Sequence, residues 1–143
     1  MRPLSAASNG IVPDPLKGSR TVSPMLEKLF IHEEQELFKG IFLKIYDGHT
    51  TGQMIPHVDY NGRTVVFMAD FIPSVKHIPL PFIASYDVQP LVSIKEKTEF
   101  FKKAIADNYA LFFEHDPFNE CCGLQETDKG VRVKEVFELS QLG

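Results

Sequence analysis

Apolar and polar positions follow each other in short, dense blocks from Met25 onward. The run Ile41-Phe42-Leu43-Lys44-Ile45-Tyr46 is rich in bulky apolar side chains and predicts a strand over 41–46. Residues 53–60, with Met54, Val58 and Tyr60, predict the next strand. Asn61-Gly62 then supplies two residues that tolerate positive φ, a strong hairpin signal, and 64–68 returns as a buried strand. A long stretch over 71–92 holds Pro73, Pro79, Pro81 and Pro90 among large apolar side chains. A loop of that length inside a compact domain is usually functional. Ser93 and Glu96 match a capping box and open a helix that runs to about Asn108, with Phe100, Phe101, Ala104 and Ile105 as its apolar stripe. Residues 110–113 are wholly apolar and predict a buried strand, and 130–139 alternate as a late strand. Leu29-Phe30-Ile31 is a short strand candidate, and 33–36 lead into a turn at 37–40 ending on Gly40. The order is hairpin, long loop, helix, strand, hairpin-like tail. It predicts a mixed α/β (α+β) fold, and it alternates too irregularly for a doubly wound parallel sheet.

Residues 1–25 carry four prolines, two glycines and several serines without apolar periodicity, so they read as a flexible leader before a domain over 26–143. The 143 residues suffice for one domain with a core, and 43% hydrophobic with 24% charged residues is ordinary for a globular protein. A net charge of −4 implies no basic face and argues against a nucleic-acid partner. No apolar run approaches the roughly 20 residues that span a bilayer, and the start lacks the apolar stretch of a secretory signal, so cytoplasm is the expected compartment. Cys121 and Cys122 are adjacent, which excludes a disulfide framework and predicts two half-buried thiols.

Three residues at predicted strand ends carry the candidate chemistry: His49 in Asp47-Gly48-His49-Thr50-Thr51-Gly52, Asp70 after Val65-Val66-Phe67-Met68-Ala69, and His115 between Glu114 and Asp116. Neutral imidazole and carboxylate suit Zn²⁺ and similar divalent ions. A carboxylate closing an apolar strand has a desolvation cost unless it is paired or binds a cation. The carboxylates beside His115 would hold its second ring nitrogen. Each signal alone has an ordinary structural explanation, a turn-forming Asp or a structural His. Three together on strand ends point to one cleft.

Those segments resemble the later motifs of the metallo-β-lactamase fold superfamily, over roughly 26–139. The loop from Phe71 to Asp87 and Glu114-His115-Asp116 look most like its lactonase and organophosphate-hydrolase branch. The resemblance implies the C-terminal half of an αββα sandwich, a mixed sheet with a covering helix. It implies His49 and His115 as metal ligands, Asp70 as the bridging and catalytic carboxylate, and one or two Zn²⁺ or similar ions. Metal-bound hydroxide in such enzymes attacks an ester, lactone, amide or phosphoester of a small-molecule substrate. The family's first motif, His-x-His-x-Asp-His, is absent from this chain. Lactonase-like relatives often place a tyrosine shortly after the bridging Asp, whereas Phe71, Ile72 and Pro73 follow here, so lactonase activity is not supported.

Phe71, Ile72, His77, Phe82 and Tyr86 are candidate pocket residues, with packing of the loop onto the sheet the equal alternative. His57 reads as structural or exposed, His32 as solvated, and Arg63 as a solubilising residue. The expected function is a metal-dependent hydrolase present as a partial domain. The alternatives are a non-catalytic half-domain and a small protein-binding module without metal dependence. A half sandwich also leaves one sheet face bare, which predicts self-association or a complementary N-terminal half as partner.

Overall fold

The computed structural model describes Ile31 and residues 33–142. The leader over 1–25, Leu29, Phe30 and His32 lie outside those residues, and Ile31 is in no strand. Seven strands form one sheet in chain order: β1 (Gln35–Phe38), β2 (Ile41–Tyr46), β3 (Gln53–Tyr60), β4 (Arg63–Phe67), β5 (Ala110–Phe112), β6 (Cys121–Thr127) and β7 (Gly130–Phe137). The helix α1 (Pro90–Ala106) connects β4 to β5. That crossover makes β4 and β5 parallel, while every other neighbouring pair is antiparallel. The class is mixed α/β. No described helix is long and apolar enough to cross a membrane.

Local chemistry explains the boundaries. Asn61 and Gly62 take φ of 53° and 77°, the positive pair that a two-residue hairpin needs. Pro90 lies in the first turn of α1, where its missing N–H costs nothing. The helix ends in a Schellman pattern: Asn108 takes φ 51°, and Tyr109 N–H donates to the Ala104 carbonyl at 2.8 Å. So α1 starts three residues before the expected Ser93 cap and stops before Asn108. Ser93 is buried inside it instead of capping it, and Gln89 precedes it without a side-chain cap.

Two strands were not legible. Gln35–Phe38 forms β1 where a turn was expected, because it pairs with the convincing strand β2. Cys121–Thr127 forms β6 although Cys and Gly are weak strand signals, because β5 and β7 supply partners on both sides. Both thiols are buried. Burial pushes Cys121 up to about 11 and Cys122 up to about 12, so they stay protonated and inert.

One face of the sheet is the core. Ile55, Val66, Met68, Leu111, Phe113, Cys122 and Leu124 meet Phe100, Phe101 and Ala104 of α1. The proline-rich segment joins them: Phe71, Ile72 and Ile78 are almost wholly buried. Phe71 stacks on Tyr46 with ring centroids 4.0 Å apart. Lys97 clips this segment to the helix. It is 1% exposed and sends its ammonium to the carbonyls of His77 and Phe82, each at 2.7 Å. Burial pulls its pKa down to about 8, with Asp87 opposing.

His57 is buried on the same face, between the edges of Phe100 and Tyr109, with no hydrogen-bond partner for Nε2. Burial, and secondarily the Lys44 ammonium, lower its pKa from 6.5 to about 4. The unfolded chain therefore takes up a proton near 6.5 and the folded one only near 4. Stability is fully present above that window and falls as pH drops through it, by about 3 kcal/mol at the lower end. Urea midpoints at neutral and acid pH check this. His57→Leu should flatten the difference.

Candidate metal centre

β2, β4 and β5 run in the same direction, so their C-terminal ends share one edge of the sheet. His49 lies three residues beyond β2, and Asp70 and His115 three beyond β4 and β5. Met68 N–H donates to the Phe112 carbonyl at 2.9 Å and carries the parallel pairing past the strand ends. Ala69 then takes φ 43°, a left-handed conformation that a residue with Cβ adopts at a cost, and Phe71 N–H closes the turn onto Met68. That turn lifts Asp70 off the sheet edge.

The structure brings the three predicted side chains together around the Asp70 carboxylate. His49 Nε2 lies 3.6 Å from Asp70 Oδ2, and His115 Nε2 lies 3.2 Å from Asp70 Oδ1. Two ligands on one tetrahedral zinc, each about 2.0–2.2 Å from it, sit roughly 3.4 Å apart. Both spacings bracket that value, so the donor types and separations fit divalent ions. They fit as two pairs. Each histidine faces a different oxygen of Asp70, and no three His, Cys, Asp or Glu side chains among the described residues surround one point as a ready ligand set. The chain thus offers His49 with Asp70 on one side and His115 with Asp70 on the other.

Glu114 Oε1 lies 3.3 Å from His115 Nε2, the same nitrogen that faces Asp70, so it does not hold the second ring nitrogen as expected. Asp116 also turns away from His115. Its carboxylate accepts from the backbone N–H groups of Val75, Phe118 and Asn119. Burial would raise its pKa, but these hydrogen bonds outweigh it and hold the group below the usual carboxylate range. Asp116 is the pin of the 114–119 loop.

The His49 loop is held just as firmly. Glu96 of α1 accepts from Asp47 N–H at 2.8 Å and Gly48 N–H at 3.0 Å. Gln89 N–H donates to the Gly48 carbonyl and Val88 N–H to the His49 carbonyl. His49 Nδ1 sits 3.1 Å from Asp87 Oδ1, whose other oxygen accepts from Ser93 Oγ at 2.6 Å. Neither Asp87 nor Ser93 stood out in the sequence as part of the site. A lone Asp within a proline-rich loop carries no periodic or motif signal.

Among the candidate pocket residues, Phe71 and Ile72 take the packing alternative: they are buried core side chains. His77 Nδ1 pairs with Ser74 Oγ at 2.9 Å within its own turn, and burial followed by Lys97 lowers its pKa. Phe82 and Tyr86 are exposed, and the Tyr86 ring stands edge-on to His49 at 5.4 Å between centroids. Arg63 is corrected too. It donates to the carbonyls of Asn108 and Tyr109 and packs over Phe137, tying β4 to the end of α1.

No family model and no curated protein matches the chain. Solved structures do. A probable metal-dependent hydrolase from Staphylococcus aureus aligns with TM-score 0.66 and 25% identity over 76% of this chain and 38% of that one. AidC, a dizinc quorum-quenching lactonase, aligns with TM-score 0.62 and 20% identity over 72% of this chain and 36% of that one. AbOPH, a hydrolase in the β-lactamase superfamily, aligns with TM-score 0.58 and 19% identity over 67% of this chain and 34% of that one. The chain carries part of a metallo-β-lactamase fold. It spans little more than a third of the length of these relatives. The seven-stranded sheet and α1 make up that part of the fold.

Proposed function

We propose that this chain supplies His49, Asp70 and His115 to the metal site of a hydrolase acting on an ester, lactone, amide or phosphoester of a small molecule. The observation that carries this reading is Asp70 standing between two imidazoles, one on each oxygen, at spacings that suit shared ions. A divalent ion such as Zn²⁺ bound there lowers the pKa of water and polarises a carbonyl or phosphoryl oxygen. Asp70 fixes the separation of the two sides, and His49 and His115 aim one ring nitrogen at each. Phe82 and Tyr86 are exposed side chains of the adjoining loop, and Tyr86 beside His49 is placed to contact the apolar part of a substrate.

The test is turnover of an activated ester by the chain with added zinc. We expect a slow reaction that chelation abolishes and that Asp70→Ala reduces by at least about tenfold. Turnover indifferent to chelator contradicts the reading.

The divided ligand set favours a second reading, a half-domain that binds ions without turning over substrate. Each side has two protein donors, whereas catalytic zinc sites usually have three plus water. The sheet face opposite α1 supports a partner that completes the site. Val58, Tyr60, Val65, Phe67, Phe112 and Leu139 line an apolar cavity of about 210 Å³ there. A complementary N-terminal half or a second copy would bury it. Zinc binding with no turnover selects this second reading.

A further inference from the structure

The long proline-rich segment ends against the His49 loop, and Asp87 is the side chain that joins them. We propose that Asp87 is the positioning residue of His49: it holds the imidazole with its proton on Nδ1 and so presents Nε2 toward Asp70. The Asp87 side chain is 4% exposed. Its Oδ2 accepts the Ser93 hydroxyl at 2.6 Å, and its Oδ1 lies 3.1 Å from His49 Nδ1. A carboxylate offers only acceptors, so the nitrogen facing it carries the hydrogen. Nε2 then keeps its lone pair, the form in which imidazole binds a metal. The 3.6 Å between Nε2 and Asp70 Oδ2 is too long for a hydrogen bond that would favour the opposite tautomer.

Backbone contacts keep Asp87 in register. Val88 N–H on the His49 carbonyl (3.1 Å) and Gln89 N–H on the Gly48 carbonyl (2.9 Å) form a short ladder beside it. Ser93 fixes the far oxygen from a buried position in the first turns of α1. Tyr86, next in the chain, stands T-shaped to the His49 ring with centroids 5.4 Å apart.

Only the zinc arm of the test rests on His49 being a ligand. The tautomer arm uses the metal-free chain, with two-bond ¹⁵N–¹H correlations of His49 recorded at a pH where the ring is neutral. The native chain should show the Nδ1–H form. Asp87→Ala removes the acceptor and should shift His49 largely to Nε2–H. Asp87→Asn, whose carbonyl oxygen can still accept, should restore Nδ1–H. Zinc affinity should fall about 10–100-fold in Asp87→Ala and recover in part in Asp87→Asn. An Nε2–H form in the native chain overturns the proposal with no variant needed. So does an Asp87→Ala chain that keeps the native tautomer. If zinc binds neither native chain nor variant, the ligand reading fails while the tautomers still decide the role of Asp87.

Discussion

Gly48→Ala should dislodge the His49 loop and lower stability by about 3 kcal/mol, the upper end for overpacking a tight contact. A Cβ at Gly48 would lie 2.3 Å from Ser93 Oγ and 2.6 Å from both the Cα and the N of Ser93. The last two are backbone atoms in the first turns of α1, and no rotamer change removes them. Retreat is blocked as well, because Glu96 grips the Asp47 and Gly48 N–H groups. Gly52→Ala is the control. Nothing lies within 4 Å of its Cβ, but its φ of +77° costs roughly 1–2 kcal/mol for an L-residue. Urea midpoints should rank native above Gly52→Ala and that above Gly48→Ala. Only Gly48→Ala should move the ring resonances of His49 strongly. Equal effects of the two substitutions contradict the account of how helix and loop meet.

Lys97→Met is the second large effect. The variant keeps the apolar stem and deletes the ammonium, leaving the His77 and Phe82 carbonyls without their 2.7 Å donor. An unmet buried carbonyl costs about 1–3 kcal/mol, and relief from burying a charge offsets part of it, so a net loss of about 2 kcal/mol is expected. The loss should be local. Amide exchange over residues 78–88 should quicken by roughly 30-fold, while β3 and β4 change little. Because the same segment ends at Asp87, His49 should lose order in this variant although it lies far along the sequence. Uniform loosening of the whole sheet would show that Lys97 is a general core residue.

The elements with strong local chemistry were legible in the sequence. β2, β3 and the Asn61-Gly62 turn announce themselves through bulky alternation and positive-φ residues. The apolar stripe of α1 was legible, but its start was not. Ser93 and Glu96 have the spacing of a capping box, yet both spend their hydrogen bonds on tertiary partners, Asp87 and the Asp47–Gly48 backbone. β6 was hidden because its pairing depends on neighbours and its Cys121-Cys122-Gly123 start lacks strand propensity. The meeting of His49, Asp70 and His115 was legible because each follows an apolar strand within a short polar segment. Asp87 was not, because its role depends on a fold-back of the loop that no local pattern encodes. For Phe71 and Ile72 the pocket and packing readings were equal in the sequence, because a loop's apolar side chains serve either; in the fold they join the core.

The central claim is that Asp70 joins His49 and His115 into one metal-binding edge. A zinc titration followed through the imidazole resonances of both histidines tests it most directly, in the native chain and in Asp70→Ala. We predict that zinc shifts both rings over the same concentration range in the native chain, and that Asp70→Ala abolishes both shifts. Zinc that moves neither ring, or moves both equally well without Asp70, would contradict the account.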